Sequence, residues 1–290
     1  MKQVQIKYGG SPAAPRVNED SFYPNIDDTY TEFTYYGDRL AIHTKQQTLG
    51  IKRWTNLPSG RQGMAIYGNK LFRMSAASSS TTHYVYSIGD GGTLTEVGSF
   101  TCSTSGHSNA LQFAPTVEGS NAYPYLYVSD TDGSCVVLQI AADYSATQVQ
   151  KITVSTGWQV LIGDDGYIWA VAGGGTSLRF IRYRKVPVSE GSTVALTASD
   201  ILEEMVVEEK FDSDLYTFQG AKFKFGKAWL PIGTDGAGKK RALFVYDLAE
   251  RRTLANIDLS QLNVEFEDCD FWDNALIIAC YEANTYILRF

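Results

Sequence analysis

Seven residues stand where side-chain chemistry could be done: Arg61, His107, Asn109, Trp158, Gln219, Glu267 and Asp268. Each lies at, or just before, the start of a short apolar run: GMAIY, NALQF, QVLIG, GAKF or CDF. If the fold brings these runs side by side, a guanidinium, an imidazole, two carboxamides, two carboxylates and an indole meet on one rim. Such a set binds a sugar or a peptide terminus by hydrogen bonds and stacking. The plainer reading is that the same groups hydrogen-bond one another and close the end of the fold.

Catalysis asks for more than this set supplies. The chain has three histidines, and His43 and His83 fall inside strand-like runs, where packing or surface roles are expected. There is no GxSxG nucleophile elbow, so no catalytic residue is assigned. The four cysteines, Cys102, Cys135, Cys269 and Cys280, form no CxxC pair and have no histidine at metal-ligand spacing. Cys135, Cys269 and Cys280 read instead as small buried hydrophobes. SDTDGS (129–134) begins like a calcium loop, but Cys135, Val136 and Val137 follow where oxygen donors are required, which makes it a turn. AGGGT (172–176) lacks the Lys-Ser of a phosphate-cradling loop and reads as a turn. No metal site and no cofactor is expected.

The elements that would position the seven residues repeat. GMAIYGNKLFRM is an apolar strand, a Gly-Asn-Lys turn and a second apolar strand; a loop and an alternating third strand follow. The pattern returns at 108–140, 158–184, 218–248 and 266–290. The turns Gly68-Asn69, Asp164-Asp165-Gly166, Phe225-Gly226-Lys227 and Asp273-Asn274 provide the relaxed backbone angles that tight hairpins need. Fourth strands are expected at 94–100, 146–154, 194–197 and 252–259. Four-stranded repeats of roughly 40 to 50 residues are blades of a β-propeller, each too small to bury its faces without neighbours. The last repeat stops after its third strand, so an N-terminal strand must close the ring; VQIKY (4–8) or LGIKRW (49–54) could do so. The remaining N-terminal runs make a sixth blade. The fold class is therefore all-β: a six-bladed propeller in a single domain over residues 1–290, with five blades plus an N-terminal extension as the alternative. SDILEEMV (199–206) is the one segment expected to be helical, with Ser199 as its cap.

Composition excludes some partners. With 25 Lys and Arg against 32 Asp and Glu, the net charge is -7, which leaves no basic surplus for a phosphate backbone. Nucleic acid is not an expected partner. No stretch reaches the roughly 18 apolar residues of a membrane helix. The first 20 residues lack the apolar run of a secretory signal, so the chain as it stands reads as cytoplasmic, or as exported after a signal is removed. The acidic stretch ILEEMVVEEKFDSD (201–214) reads as solvated surface.

Two segments, LPSGRQGMAIYGNKLF (57–72) and GHSNALQFAP through YPYLYVSDTDGSCVVLQI (106–140), resemble β-propeller proteins of gut Bacteroidetes that are described as uncharacterised. The resemblance covers about the first half of the chain and implies the fold without implying an activity. The ring is more distantly similar to NHL and gluconolactonase-type six-bladed propellers, but the acidic and Asn metal ligands of the latter have no clear counterpart here. The function expected is a non-catalytic binding or assembly module for a glycan or protein, with the seven rim residues as contacts. The alternatives are a hydrolase or lyase acting on a carbohydrate or lactone in the central channel, and a structural subunit of a viral or cell-surface assembly.

Overall fold

The computed structural model describes residues 3–6, 30–36, 39–45, 50–56, 61–75, 82–102, 108–174, 177–212, 216–234, 238–260, 262, 264–273, 275–281 and 284–289. Strands β1 (Gln3–Ile6), β2 (Tyr30–Tyr36) and β3 (Arg39–Lys45) pair antiparallel in one sheet. Strand β4 (Gly50–Asn56) leaves them and joins the far end of the chain, as described below.

Blade one is β5 (Arg61–Tyr67), β6 (Lys70–Ser75), β7 (Thr82–Ile88) and β8 (Leu94–Thr101). Blade two is β9 (Ala110–Phe113), β10 (Leu126–Ser129), β11 (Ser134–Ile140) and β12 (Ala146–Val154). In blade three, β13 (Gln159–Ile162), β14 (Ile168–Ala172) and β15 (Arg179–Tyr183) are followed by β16 (Thr193–Leu196) and β17 (Ile201–Val206). Blade four is β18 (Lys222–Lys224), β19 (Lys227–Ile232), β20 (Ala242–Asp247) and β21 (Arg252–Asp258). Blade five is β22 (Phe266–Trp272), β23 (Ala275–Cys280) and β24 (Asn284–Arg289), completed by β4.

The inner strands touch in the order β5, β9, β13, β18, β22 and back to β5, so the sheets form a closed, propeller-like ring. Apolar clusters fill the seams between sheets. Phe72 and Phe100 of blade one pack with Leu111 and Phe113 of blade two. Ile277 and Ala279 of blade five pack with Met64 and Ile66 of blade one, which seals the ring. Second strands such as β19 and β23 are buried at every position because a sheet covers each face, whereas the outer strands β8 and β21 are largely exposed or half-buried. Trp169 stacks on Phe223 at 5.4 Å and Trp229 meets Phe271 edge-on at 4.8 Å, so aromatic pairs join blades three to four and four to five.

Three expectations require correction. Among the described residues the ring has four sheets of four strands and one of five, which fits the alternative of five blades with an N-terminal extension; a sixth blade is not seen. The physical reason is that β4 closes blade five, pairing Gly50 with Arg289 and Asn56 with Asn284, and three strands are left ahead of it among the described residues. Second, residues 201–206 are strand β17, antiparallel to β15, and the helical part is one 3-10 turn at Ala198–Asp200 capped by Thr197. Pairing to β15 overrides the helix preference of Leu and Glu, since Met205 is thereby buried against the blade. Third, VALT (194–197) is not the outer strand of blade three. As β16 it lies parallel to β12 and extends blade two to five strands.

The turns behave as expected where they are described. Gly68 (φ 58°), Phe225 (φ 60°), Gly226 (φ 66°) and Asp273 (φ 47°) adopt left-handed angles; Asn274 lies outside the described residues. All four cysteines are buried thiols. His83 is a packing residue, as expected: it is buried, and its Nδ1 accepts from Ser75 N at 3.0 Å.

Candidate functional site

Each inner strand pairs on one edge only, so its other edge turns N–H and C=O groups toward the ring axis, where they need partners. Charged side chains supply them. Lys222 of β18 is completely buried, and its Nζ donates to Met64 O of β5 at 2.9 Å and to Leu111 O of β9. Asp268 Oδ2 of β22 accepts from Met64 N at 2.9 Å and Leu111 N at 3.1 Å. Asp270 Oδ2 accepts from Ile66 N at 2.8 Å, and Lys224 donates to its Oδ1. Lys222 Nζ lies 3.5 Å from Asp268 and 3.9 Å from Asp270. On the other side of the axis, Gln112 serves both backbone groups of Phe223, donating to its O at 2.8 Å and accepting from its N at 2.9 Å. The hub is thus two lysines and two aspartates, with no net charge, wired into strands from blades one, two, four and five.

The two aspartates differ. Burial pushes the Asp268 carboxyl up to about 6, against the pull of Lys222 and of the N–H groups of Met64, Leu111 and Cys269. Burial acts on Asp270 too, but Lys224 and Lys222 together hold it below the usual carboxylate range. The cause is that Asp268 shares one lysine while Asp270 has two.

Above the hub, at the leading ends of the inner strands, lies a layer of amides. Asn109 Nδ2 donates to Gln219 Oε1 at 2.9 Å, and Gln159 Nε2 donates to Gln219 O. Gln219 Nε2 donates in turn to Gly233 O at 3.2 Å and to Glu265 Oε1 at 2.9 Å. Residue 220 must be glycine for this closeness. A Cβ there would lie 2.4 Å from Glu267 O, 2.8 Å from Asp268 Oδ1 and 2.9 Å from Asn109 O.

Of the seven residues singled out in the sequence, the structure brings Asn109, Gln219, Glu267 and Asp268 together around Gly220, all of them buried. Asp268 belongs to the hub beneath. Trp158 is half-buried, packs on the blade-three core and donates its indole N–H to Gly173 O at 2.8 Å, within its own sheet. Arg61 begins β5, paired with Ser75, but its side chain lies outside the described residues, as does all of His107. Lys222, Lys224, Asp270, Gln112 and Gln159 were missed. Their signal is readable: Lys222/Lys224 and Asp268/Asp270 are charges two apart in strands that must be buried on both faces. SDTDGS is a β10–β11 turn, with Asp132 Oδ1 accepting from Ser134 N at 2.9 Å. Among the described residues no three His, Cys, Asp or Glu side chains are grouped to hold a metal ion. Among them, too, no helix is long and apolar enough to cross a membrane.

These features define an all-β protein with a propeller-like ring of sheets, antiparallel except for β16 against β12. No protein-family model matches the sequence, and no curated protein matches it. Among solved structures, a tail fiber of Staphylococcus aureus phage P68 is similar at a TM-score of 0.51 and 12% identity, over 83% of this chain and 52% of that one. The chain therefore spans about half the length of that tail-fiber chain. A functionally unknown protein from Desulfotomaculum acetoxidans (TM-score 0.41, 12% identity, 81% of this chain, 80% of that one) and the hydrazine synthase of Kuenenia stuttgartiensis (0.40, 12%, 93% and 77%) follow. At 12% identity the likeness to the tail fiber is one of fold.

Proposed function

We propose that the ring is a non-catalytic binding or assembly module that recognises a glycan or a protein and forms one part of a larger fibre-like or cell-surface assembly. The observation that carries this reading is the filled axis. A hydrolase or lyase working in a central channel needs an acid and a base that reach substrate. Here Lys222, Asp268 and Asp270 are at most 1% exposed and are held by strand backbone and by one another. Recognition is left to the rim and the loops, where a rigid ring presents variable segments. The likeness to a phage tail fiber supports the assembly part of the reading.

Purified protein is assayed for turnover of chromogenic glycosides, lactones and polysaccharides, and in parallel for binding to polysaccharides and to cell-surface fractions. Binding without turnover is the expected result. Turnover that disappears in Glu267→Gln overturns it. Native mass spectrometry of the protein from its source addresses assembly, which is abandoned if the chain is recovered only on its own.

A further inference from the structure

We infer that the outer edge of blade three docks a second copy of this chain, strand β17 pairing with strand β17 in antiparallel register; this gives the assembly reading above a named contact and rests on it. β17 ends its sheet, and no strand pairs with its outward edge among the described residues. Such an edge turns N–H and C=O groups outward, ready for another strand. The outer strand of blade two has the same need met within the molecule, where β16 lies along β12.

The side chains of this edge set it apart. Leu202 is 54% and Val206 60% exposed, the two most exposed large apolar side chains among the described residues, and with Glu204 between them they share one face of the strand. On β21 the exposed positions are Arg252, Asn256 and Asp258, and on β8 Val97 is the single large apolar one. The carboxylates within β17 do not call for a basic partner. Arg179 binds Glu204 at 2.7 Å, and Glu203 is shared by Arg182, at 3.1 Å, and Arg251. An edge with two exposed apolar side chains and its charges already balanced is matched by itself. When two β17 strands run antiparallel about a two-fold axis at Glu204, Leu202 of each copy lies opposite Val206 of the other, and the two Glu204 carboxylates meet with an Arg179 beside each. A slip by one residue would set Leu202 against the buried Met205, so the register is fixed. Six residues of edge make less than a standard interface, so the contact is weak and closes where copies are held near one another, as in a larger assembly.

The test is sedimentation equilibrium of the full chain over a rising concentration series. The expected result is a monomer–dimer equilibrium that tightens with added salt, because two copies of net charge -7 repel less when screened. Leu202→Lys and Val206→Lys change exposed side chains and should each weaken dimerisation by about tenfold or more, while Val97→Lys on β8 should leave it unchanged. Leu202→Cys mixed with Val206→Cys under oxidised glutathione should give a cross-linked heterodimer in preference to either variant linked to itself. A monomer at every concentration, a dimer that survives both lysine substitutions, or preferential self-linking of either cysteine variant overturns the inference. A chain that stays monomeric but is recovered from its source with other proteins refutes this contact alone, whereas recovery only as a lone monomer refutes the assembly reading beneath it.

Discussion

The hub and the rim are neighbouring layers at the inner strands, and they solve the burial of polar groups in opposite ways. In the hub, Lys222, Asp268 and Asp270 pair strand edges with full charges, and nearly every donor meets an acceptor. In the rim, neutral amides of Asn109, Gln159 and Gln219 chain together and leave oxygens over. Charge in a dry interior tolerates no remainder, because an unpaired ion costs several kcal/mol; a neutral amide tolerates one at about 1–3 kcal/mol. The layer that must not open is thus ionic, and the layer with capacity to spare is neutral.

Lys222→Met breaks this contrast most severely. It leaves Asp268 buried without a cation and two strand carbonyls without a donor, and it should lower stability by about 3–5 kcal/mol in denaturant unfolding. A loss below about 1 kcal/mol would mean that the hub is no more demanding than the rim.

The pH profile of Asp268→Asn comes next. The folded carboxyl titrates near 6 against an ordinary 3.8, so the folded state binds the proton more readily than the unfolded chain does. Stability from this group is fully present below the ordinary value and is lost as pH rises through about 6. The difference is worth on the order of 3 kcal/mol. Wild type should therefore gain on Asp268→Asn by that order between pH 7.5 and 4, measured as the difference in unfolding free energy. Asp270 titrates in both proteins, in the opposite sense, and cancels. A flat difference would show that Lys222 fully compensates the burial.

Gly220→Ala tests the crowding that joins the two layers. Its methyl would meet Glu267 O at 2.4 Å, and backbone cannot move aside cheaply, so a loss of about 1–3 kcal/mol is expected in thermal unfolding. Gln159→Met should have the smallest effect. It removes one hydrogen bond and one orphan oxygen together, and the net change should stay within about 1 kcal/mol of zero by the same measurement.

The sequence shows the ring more plainly than the hub. Apolar runs such as GMAIY and LYVS, with Gly68-Asn69 or Gly226 between strands, carry hairpin geometry locally, and the missing last strand called for closure by 4–8 or by 49–54; β4 shows it is the second, while 3–6 pairs with β2. Pairings between distant segments leave no such local mark. β16 binds β12 some forty residues away, and its own residues give no sign of parallel partnership. Residues 201–206 carried two patterns at once: Leu, Glu and Met favour a helix, yet Ile201, Glu203 and Met205 share one face of a strand and are the more buried set. The number of blades followed from the same ambiguity, since whether β4 belongs to the first sheet or the last depends on a pairing across the whole chain. In the site, Asn109, Gln219, Glu267 and Asp268 were visible as polar residues at strand starts. Lys222 was passed over because a lysine in a strand ordinarily faces solvent.

The register of β4 against β24 also decides how the ring comes apart. Gly50, where the ring begins, is paired with Arg289, where it ends, so the two exits lie side by side at one corner of blade five. Tension applied between them peels the closing strand one hydrogen bond at a time from that corner instead of shearing the whole ladder at once. The ring would therefore yield to low force along this axis, while a pull across the blades meets the apolar seams in parallel; a bead threaded on a longer polypeptide through that corner behaves as a latch, releasing length before its other four sheets are disturbed.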